Sequence, residues 1–268
     1  MRRMLLLAAA IVVLYIGINF VMPRTHYYQE INSLPTANIF PSSDYTLGMF
    51  KLELSDPLPP DFRSRSLLLT DMSTGETFKT TGRIGSAALG DGVGVWITQP
   101  KDGSFEVWAY DFATKKSKIL SHFSNNNNPN SPQVAVWGRN VALVTFPNDL
   151  NLINVDTGAK EVLHVADGYL LGHGVHYIHN LVIMPAHWSD TYLAYPPARI
   201  EPANTAIPLI LAYDTNQKVF KELYRVPNSR RVYHFWDVLS TPDGVLYWKE
   251  EGAFSPVRFF RLNVADVK

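Results

Sequence analysis

The sequence predicts an all-β fold: a β-propeller of about five four-stranded blades, with room for a sixth, preceded by one N-terminal transmembrane helix. Three observations predict it. A strand–turn–strand unit with an acidic or amide residue at its turn recurs along residues 46–268. The repeats lie 40–58 residues apart, a spacing that suits propeller blades built from short strands. Strong helical periodicity appears nowhere except in an uncharged run at residues 4–22.

The chain opens MRRMLLLAAAIVVLYIGINFVM, and the 19 residues from Met4 to Met22 carry no charge, with Asn19 the one strongly polar side chain. At ~1.5 Å rise per residue they reach nearly 30 Å as a helix, about the hydrocarbon thickness of a bilayer. Arg2 and Arg3 are expected to stay cytoplasmic, which sends the rest of the chain across. A cleaved signal peptide has a shorter apolar region and small residues at its exit, and MPRTHYYQE has no A-x-A arrangement. Residues 1–22 are therefore read as an uncleaved signal anchor. Residues 23–45, PRTHYYQEINSLPTANIFPSSDY, are punctuated by Pro and Ser and read as a tether. The propeller domain takes residues 46–268.

The composition sets limits on function. With 24 Lys+Arg against 24 Asp+Glu there is no basic field, so nucleic-acid binding is not expected. Cysteine is absent, which excludes disulfides, thiol catalysis, Cys-ligated zinc and a lipid-modified cysteine. A 268-residue chain that is 46% hydrophobic can fill a core without disulfides, so export remains compatible with stability. No N-x-S/T acceptor occurs, and a bacterial envelope protein fits better than a eukaryotic secretory one.

The repeat units are SLLLTDMSTGETFKTT, EVWAYDFATKKSKIL, LNLINVDTGAKEVLHV and LILAYDTNQKVFKEL, with a truncated fifth, RFFRLNVADVK. Their anchors are Asp71, Asp111, Asp156, Asp214 and Asn263, spaced by 40, 45, 58 and 49 residues. An Asp at a strand end accepts hydrogen bonds from amides two residues on, and Gly75 or Gly158 supplies a positive φ without steric cost. RIGSAALGDGVGVWIT, QVAVWGRNVALVTF, GVHYIHNLVIMPA and FWDVLSTPDGVLYWKE supply two further strands each, around Asp91-Gly92, Arg139-Asn140, His179-Asn180 and Asp243-Gly244.

Over about residues 46–268, the Y-D-x-x-T-x-K and D-T-G units resemble the repeats of the TolB-like and related β-propeller families. The resemblance implies architecture rather than activity. The S-P-D-G that often opens such repeats survives only as STPDG (240–244) and as the Ser-Pro of NSPQVAVWGRN. Six blades are usual for TolB-like domains, against five units here. Either the ring is five-bladed, or a degenerate blade lies around residues 27–60. Because the last unit breaks off just after Asn263, ring closure calls for a strand from the N-terminal segment.

Residues 170–190, LLGHGVHYIHNLVIMPAHWSD, hold His173, His176, His179 and His187, half of the chain's 8 histidines. On a strand, residues three apart face opposite sides, so His176 cannot share a face with His173 and His179. Those two would lie roughly 20 Å apart, too far for one metal ion bound at ~2.0–2.1 Å. No metal site is predicted unless the strand breaks at Gly174. His173 and His176 are expected near a strand end with backbone partners, and His179 at a surface turn.

His187 opens an insertion, HWSDTYLAYPPARIEPANTAIP (187–208), that makes this repeat the longest. Trp188, Tyr192, Tyr195 and Arg199 lie on it, and Pro196, Pro197, Pro202 and Pro208 limit its freedom. Aromatics and Arg on a stiffened loop suit a binding rim; the alternative is a lid that merely covers apolar surface. NSRRVYHFWD (228–237) adds Arg231 and Trp236 to the candidates, because loops at one propeller rim converge. SNNNNPNSP (124–132) reads as a solvated connection. KDGSFE and GDGVG precede no helix, and no cofactor is predicted.

The expected function is a membrane-anchored interaction module outside the cytoplasm, periplasmic or extracellular. It would present one propeller rim to a protein partner or an envelope polysaccharide. The alternative is a five-bladed glycoside hydrolase, which needs paired carboxyl groups at the channel. The innermost strands offer chiefly Asp237, no G-x-S-x-G or H-E-x-x-H occurs, and catalytic residues stay unassigned.

Overall fold

The computed structural model describes residues 28–35, 44–57, 64–100, 103–124, 132–145, 148–172, 174–188, 207–226, 232–234, 238–241, 243–252 and 255–267. They form five antiparallel sheets. Strand β1 (Tyr28–Ile31) comes first and belongs to the last sheet. Blade 1 is β2 (Asp44–Leu47), β3 (Phe50–Leu54), β4 (Arg65–Asp71) and β5 (Glu76–Gly82). Blade 2 is β6 (Ile84–Gly90), β7 (Val93–Thr98), β8 (Phe105–Asp111) and β9 (Lys116–Phe123). Blade 3 is β10 (Gln133–Trp137), β11 (Asn140–Thr145), β12 (Asp149–Asn154) and β13 (Lys160–His164).

Blade 4 splits its innermost position between β14 (Tyr169–Leu171) and β15 (His176–Ile178), which pair with opposite ends of β16 (Leu181–Trp188). It continues through β17 (Ile207–Asp214) and β18 (Val219–Arg225). Blade 5 begins with β19 (Val232–His234) and β20 (Leu239–Ser240), both on β21 (Val245–Gly252). It is completed by β22 (Ser255–Asn263) and then β1. The described residues form a five-bladed propeller with the predicted N-terminal closing strand.

Closure is specific in register. Tyr28 pairs with Leu262 and Ile31 with Phe259. The Tyr28 ring meets Tyr224 edge-on at 4.7 Å and lies 5.8 Å from Phe260, where Trp248 stacks at 5.4 Å. Arg258 on β22 clamps the Glu30 carboxylate on β1 through two nitrogens, and Arg261 donates twice to Gln29. The stretch read as a tether, 23–45, is thereby corrected: residues 28–31 and 44–45 are strand. Both strands are only four residues long, and the two central residues of β1 point to solvent, so hydrophobic alternation has no room to show.

The interior strands follow their sequence pattern. In β4, Leu67 and Leu69 are buried while Ser66, Leu68 and Thr70 are partly exposed, the period of a half-covered strand. In β11, Val141, Ala142, Leu143 and Val144 are all buried, because a central strand is covered by neighbouring blades on both faces. Each such Val or Leu contributes about 1.5–3 kcal/mol on burial.

The outer turns repeat one chemistry. The side chains of Asp71, Asp111 and Asp214 accept backbone N–H bonds from Ser73, Thr114, and Asn216 and Gln217, at 2.8–3.0 Å. In blade 3 the equivalent residue is Asn154, which accepts from Asp156 and Thr157. The assignment of Asp156 as the anchor is corrected by two positions; it pairs instead with Arg139. Both residues are turn formers, and only register separates them. The fifth residue of these turns has positive φ: Gly75, Lys115, Gly158 and Lys218.

Among the described residues no helix is long and apolar enough to cross a membrane. Residues 4–22, read as the transmembrane helix, lie outside the described residues.

Candidate functional site

Two places bring chemistry together: the central channel and the loop end of blade 4. The innermost strands of all five blades enclose a cavity of about 100 Å³. Its walls include Tyr45, Ala88, Val136, Tyr177, His176 and Ser240, and among the described residues none of the lining side chains is a carboxylate, Lys or Arg. Asp237, the carboxyl group that the hydrolase alternative needs most, lies outside the described residues.

The polar groups of the channel wall satisfy one another. His176 is buried, and its Nε2–H donates to the Val238 carbonyl at 2.9 Å. That leaves Nδ1 to accept from the Ser240 hydroxyl at 2.8 Å, which fixes the tautomer. Burial lowers the pKa of this imidazole to about 4, so it is neutral at pH 7. The Tyr45 hydroxyl accepts from the Leu89 N–H, and burial pushes its pKa up.

The β-strand does break between β14 and β15, with Gly174 at φ 97°, but both nitrogens of His176 are already committed. His176 has the expected backbone partner. His179 is an exposed turn residue at φ 53°, edge-on to Trp137 at 4.6 Å. His173 lies outside the described residues.

The loop end of blade 4 holds the base of the 187–208 insertion. Trp188 pairs with Tyr169 on one side and Ile207 on the other, so the chain leaves and re-enters the sheet at adjacent positions. The Arg225 guanidinium lies 5.0 Å from the Trp188 ring centre, a cation–π contact. Two hydrogen bonds from Arg225 to Glu222, at 2.8 and 2.6 Å, aim the guanidinium plane. They are the main reason its pKa is raised, with a smaller contribution from Tyr169. His187 is next to this group, and burial lowers its pKa.

Of the sequence-predicted candidates, Trp188 falls in this cluster. Tyr192, Tyr195, Arg199, Arg231 and Trp236 lie outside the described residues. Tyr169, Glu222 and Arg225 were not anticipated. The signal that finds them is register: Tyr169 and Arg225 stand at the ends of β14 and β18, the strands outside β16 and β17, and Glu222 lies three residues before Arg225 on β18.

The strongest carboxyl perturbation is elsewhere. Glu250 is buried between blades 4 and 5, where it accepts from the Tyr224 hydroxyl. Burial pushes its pKa up to about 7, and the Glu30 charge adds to the effect. It lies against an aromatic wall with the Arg258 guanidinium at 4.0 Å and does not line the channel.

No protein-family model matches the chain, and no curated protein matches it. Solved structures do. The β-propeller domain of the Trilobed protease from Pyrococcus furiosus aligns at TM-score 0.52 and 9% identity, over 83% of this chain and 68% of that one. A prolyl endopeptidase aligns at 0.51 and 11% identity, over 85% of this chain and 34% of its own. TolB from Acinetobacter baumannii aligns at 0.48 and 13% identity, over 81% and 50%. This chain thus spans about half the TolB chain and a third of the endopeptidase chain. At such identities the likeness to the Trilobed protease domain and the endopeptidase shows the fold, a β-propeller, and no activity.

Proposed function

We propose that this chain is a membrane-anchored, extracytoplasmic β-propeller that binds a protein partner or an envelope polysaccharide at the loop end of blade 4. The observation that carries the reading is the Trp188–Arg225 contact, fixed by Glu222 and flanked by Tyr169, at the base of an aromatic, proline-rich insertion. An aromatic ring with an oriented guanidinium over it is the composition of binding hot spots. In the sequence, Tyr192, Tyr195 and Arg199 continue the same residue types through the insertion, and Arg231 and Trp236 follow β18; the proposed binding surface includes all five. The anchor is assigned to residues 4–22, with the N-terminus cytoplasmic.

The channel supports this reading over hydrolysis, because a glycosidase needs two carboxyl groups across the sugar bond and the described lining has none. The test is photo-crosslinking in intact cells from a photoreactive residue at position 188, in the full chain and in a chain lacking 189–206. A discrete adduct that depends on the insertion supports the reading. Identical adduct patterns from both chains overturn it.

A further inference from the structure

We infer that the turn end of the propeller rests on a lipid bilayer surface, with Met49 and Met72 entering the headgroup region. The inference rests on the reading of residues 4–22 as a membrane span, and it adds which end of the ring that span holds against the lipid.

The direction of β1 decides this. β1 runs antiparallel to β22, and Tyr28 pairs with Leu262, beside Asn263 at the turn end. That end also carries the tight turns of the other blades. The Lys115 turn of blade 2 reaches Glu76 of blade 1 at 2.9 Å, and Asp91 N–H bonds the Gly138 carbonyl of blade 3. Arg139 of blade 3 binds Asp111 of blade 2, and Trp137 meets His179 of blade 4. The 187–208 insertion leaves from the opposite end, where Trp188 and Ile207 pair, while Leu181 and Asp214 pair at the turn end.

Only residues 23–27 separate Met22 from Tyr28. At ~3.3–3.6 Å per residue, this link spans at most about 20 Å. The nine-residue β22 is about 30 Å tall at ~3.3 Å per residue. A link this short cannot bring the loop end to the membrane that holds residues 4–22. The outer edge of blade 5 is the other surface within reach, but it presents Gln29 and Glu30 bound to Arg261 and Arg258. Lipid contact there would desolvate an ion pair.

The turn end is better suited. Six large apolar side chains are exposed among the described residues. Ile119, Val162, Val219 and Val257 stand on four different blades. Met49 and Met72 are 53% and 44% exposed and adjoin, the Met72 N–H donating to the Met49 carbonyl at 2.8 Å. Both lie on turns of blade 1 at this end. The cations named at this end are paired, Lys115 with Glu76, Arg139 with Asp111 and Asp156, and Lys221 with Asp214, and the Asp71 carboxylate beside Met72 accepts from the Ser73 N–H. The surface therefore offers flexible apolar side chains, which the short link from residues 4–22, rather than charge, holds against the lipid.

The chain has no cysteine, so single labels are simple to place. Met49→Cys, Met72→Cys and Asp167→Cys, the last at the loop end between β13 and β14, each carry an environment-sensitive fluorophore in the full chain. The proteins are reconstituted into phosphatidylcholine–phosphatidylglycerol vesicles containing a lipid with a nitroxide near its headgroup. Emission should fall by about half or more at 49 and 72 and stay unchanged at 167, for side chains buried ~5–10 Å into the interface. An alkaline carbonate wash is run in parallel. Release from the vesicles overturns the span reading and this inference with it. Retention with equal, weak quenching at all three sites overturns the inference alone. Emission at 49 and 72 that varies with the protein-to-lipid ratio rather than with nitroxide content marks a second copy on this surface, and also overturns it.

Discussion

A 2.8 Å hydrogen bond joins His176 of blade 4 to Ser240 of blade 5, and the same imidazole donates to Val238 at 2.9 Å. One neutral ring thus ties two blades at the channel wall. Its pKa falls from 6.5 unfolded to about 4 folded, because burial opposes the charge. Below pH 6.5 the unfolded chain binds a proton that the folded chain does not. Stability from this group is complete above pH 6.5 and is lost as pH falls towards 4. The loss should reach about 2 kcal/mol by pH 5. In His176→Gln that loss should be absent, as read from urea midpoints at pH 7.5 and pH 5. Equal acid sensitivity in both proteins would remove His176 as its source.

Glu250 should act in the opposite direction. Its pKa is raised from 4.5 to about 7, so its contribution is complete below pH 4.5 and is lost as pH rises through 7. Glu250→Gln keeps an acceptor for the Tyr224 hydroxyl and cannot ionise. The variant should gain about 1–2 kcal/mol relative to the parent between pH 5 and pH 8. A constant difference across that range would contradict the assignment.

The closing strand can be tested at one side chain. Tyr28→Ala removes ring contacts to Tyr224, Trp248 and Phe260 while leaving the β1–β22 ladder possible. The expected cost is about 2–3 kcal/mol by urea denaturation, from lost apolar burial and aromatic pairing. A cost within the noise of a surface substitution would mean that β1 does not hold this place in solution.

Lys218 occupies a left-handed position, φ 57°, where the matching turns of blades 1 and 3 use Gly75 and Gly158. Its ion pair with Glu161 is long, at 3.7 Å, and exposed, so little is lost with the side chain. Lys218→Gly should stabilise by about 0.5–1 kcal/mol and raise the Tm by about 2 °C. A lower Tm would show that the pair outweighs the backbone strain.

Much of the fold was legible in the sequence. Alternation in RSLLLTD and FEVWAYD, with Asp71 and Asp111 at the turns, marks β4 and β8 and their blades. These signals are local, because a side chain on a strand faces the core or the solvent by parity. The closing strand was expected, but its place at β1 and the four-residue β2 escaped, and the blade 3 anchor was read at Asp156 instead of Asn154, where two turn formers stand two residues apart. Trp188 was legible as a candidate from composition, but its partners Tyr169, Glu222 and Arg225 were not.

The sequence by itself determined the repeat, the need for a closing strand and the neutral, cysteine-free surface, all properties of spacing and composition. Tertiary structure alone decided which groups meet. His176 and Ser240 are 64 residues apart and Glu30 and Arg258 are 228 apart, and no local pattern links them. Burial lowers the His176 pKa, while hydrogen bonding to each other lowers that of Glu30 and raises that of Arg258; both environments exist only once the ring closes, and neither has a signature in the order of residues.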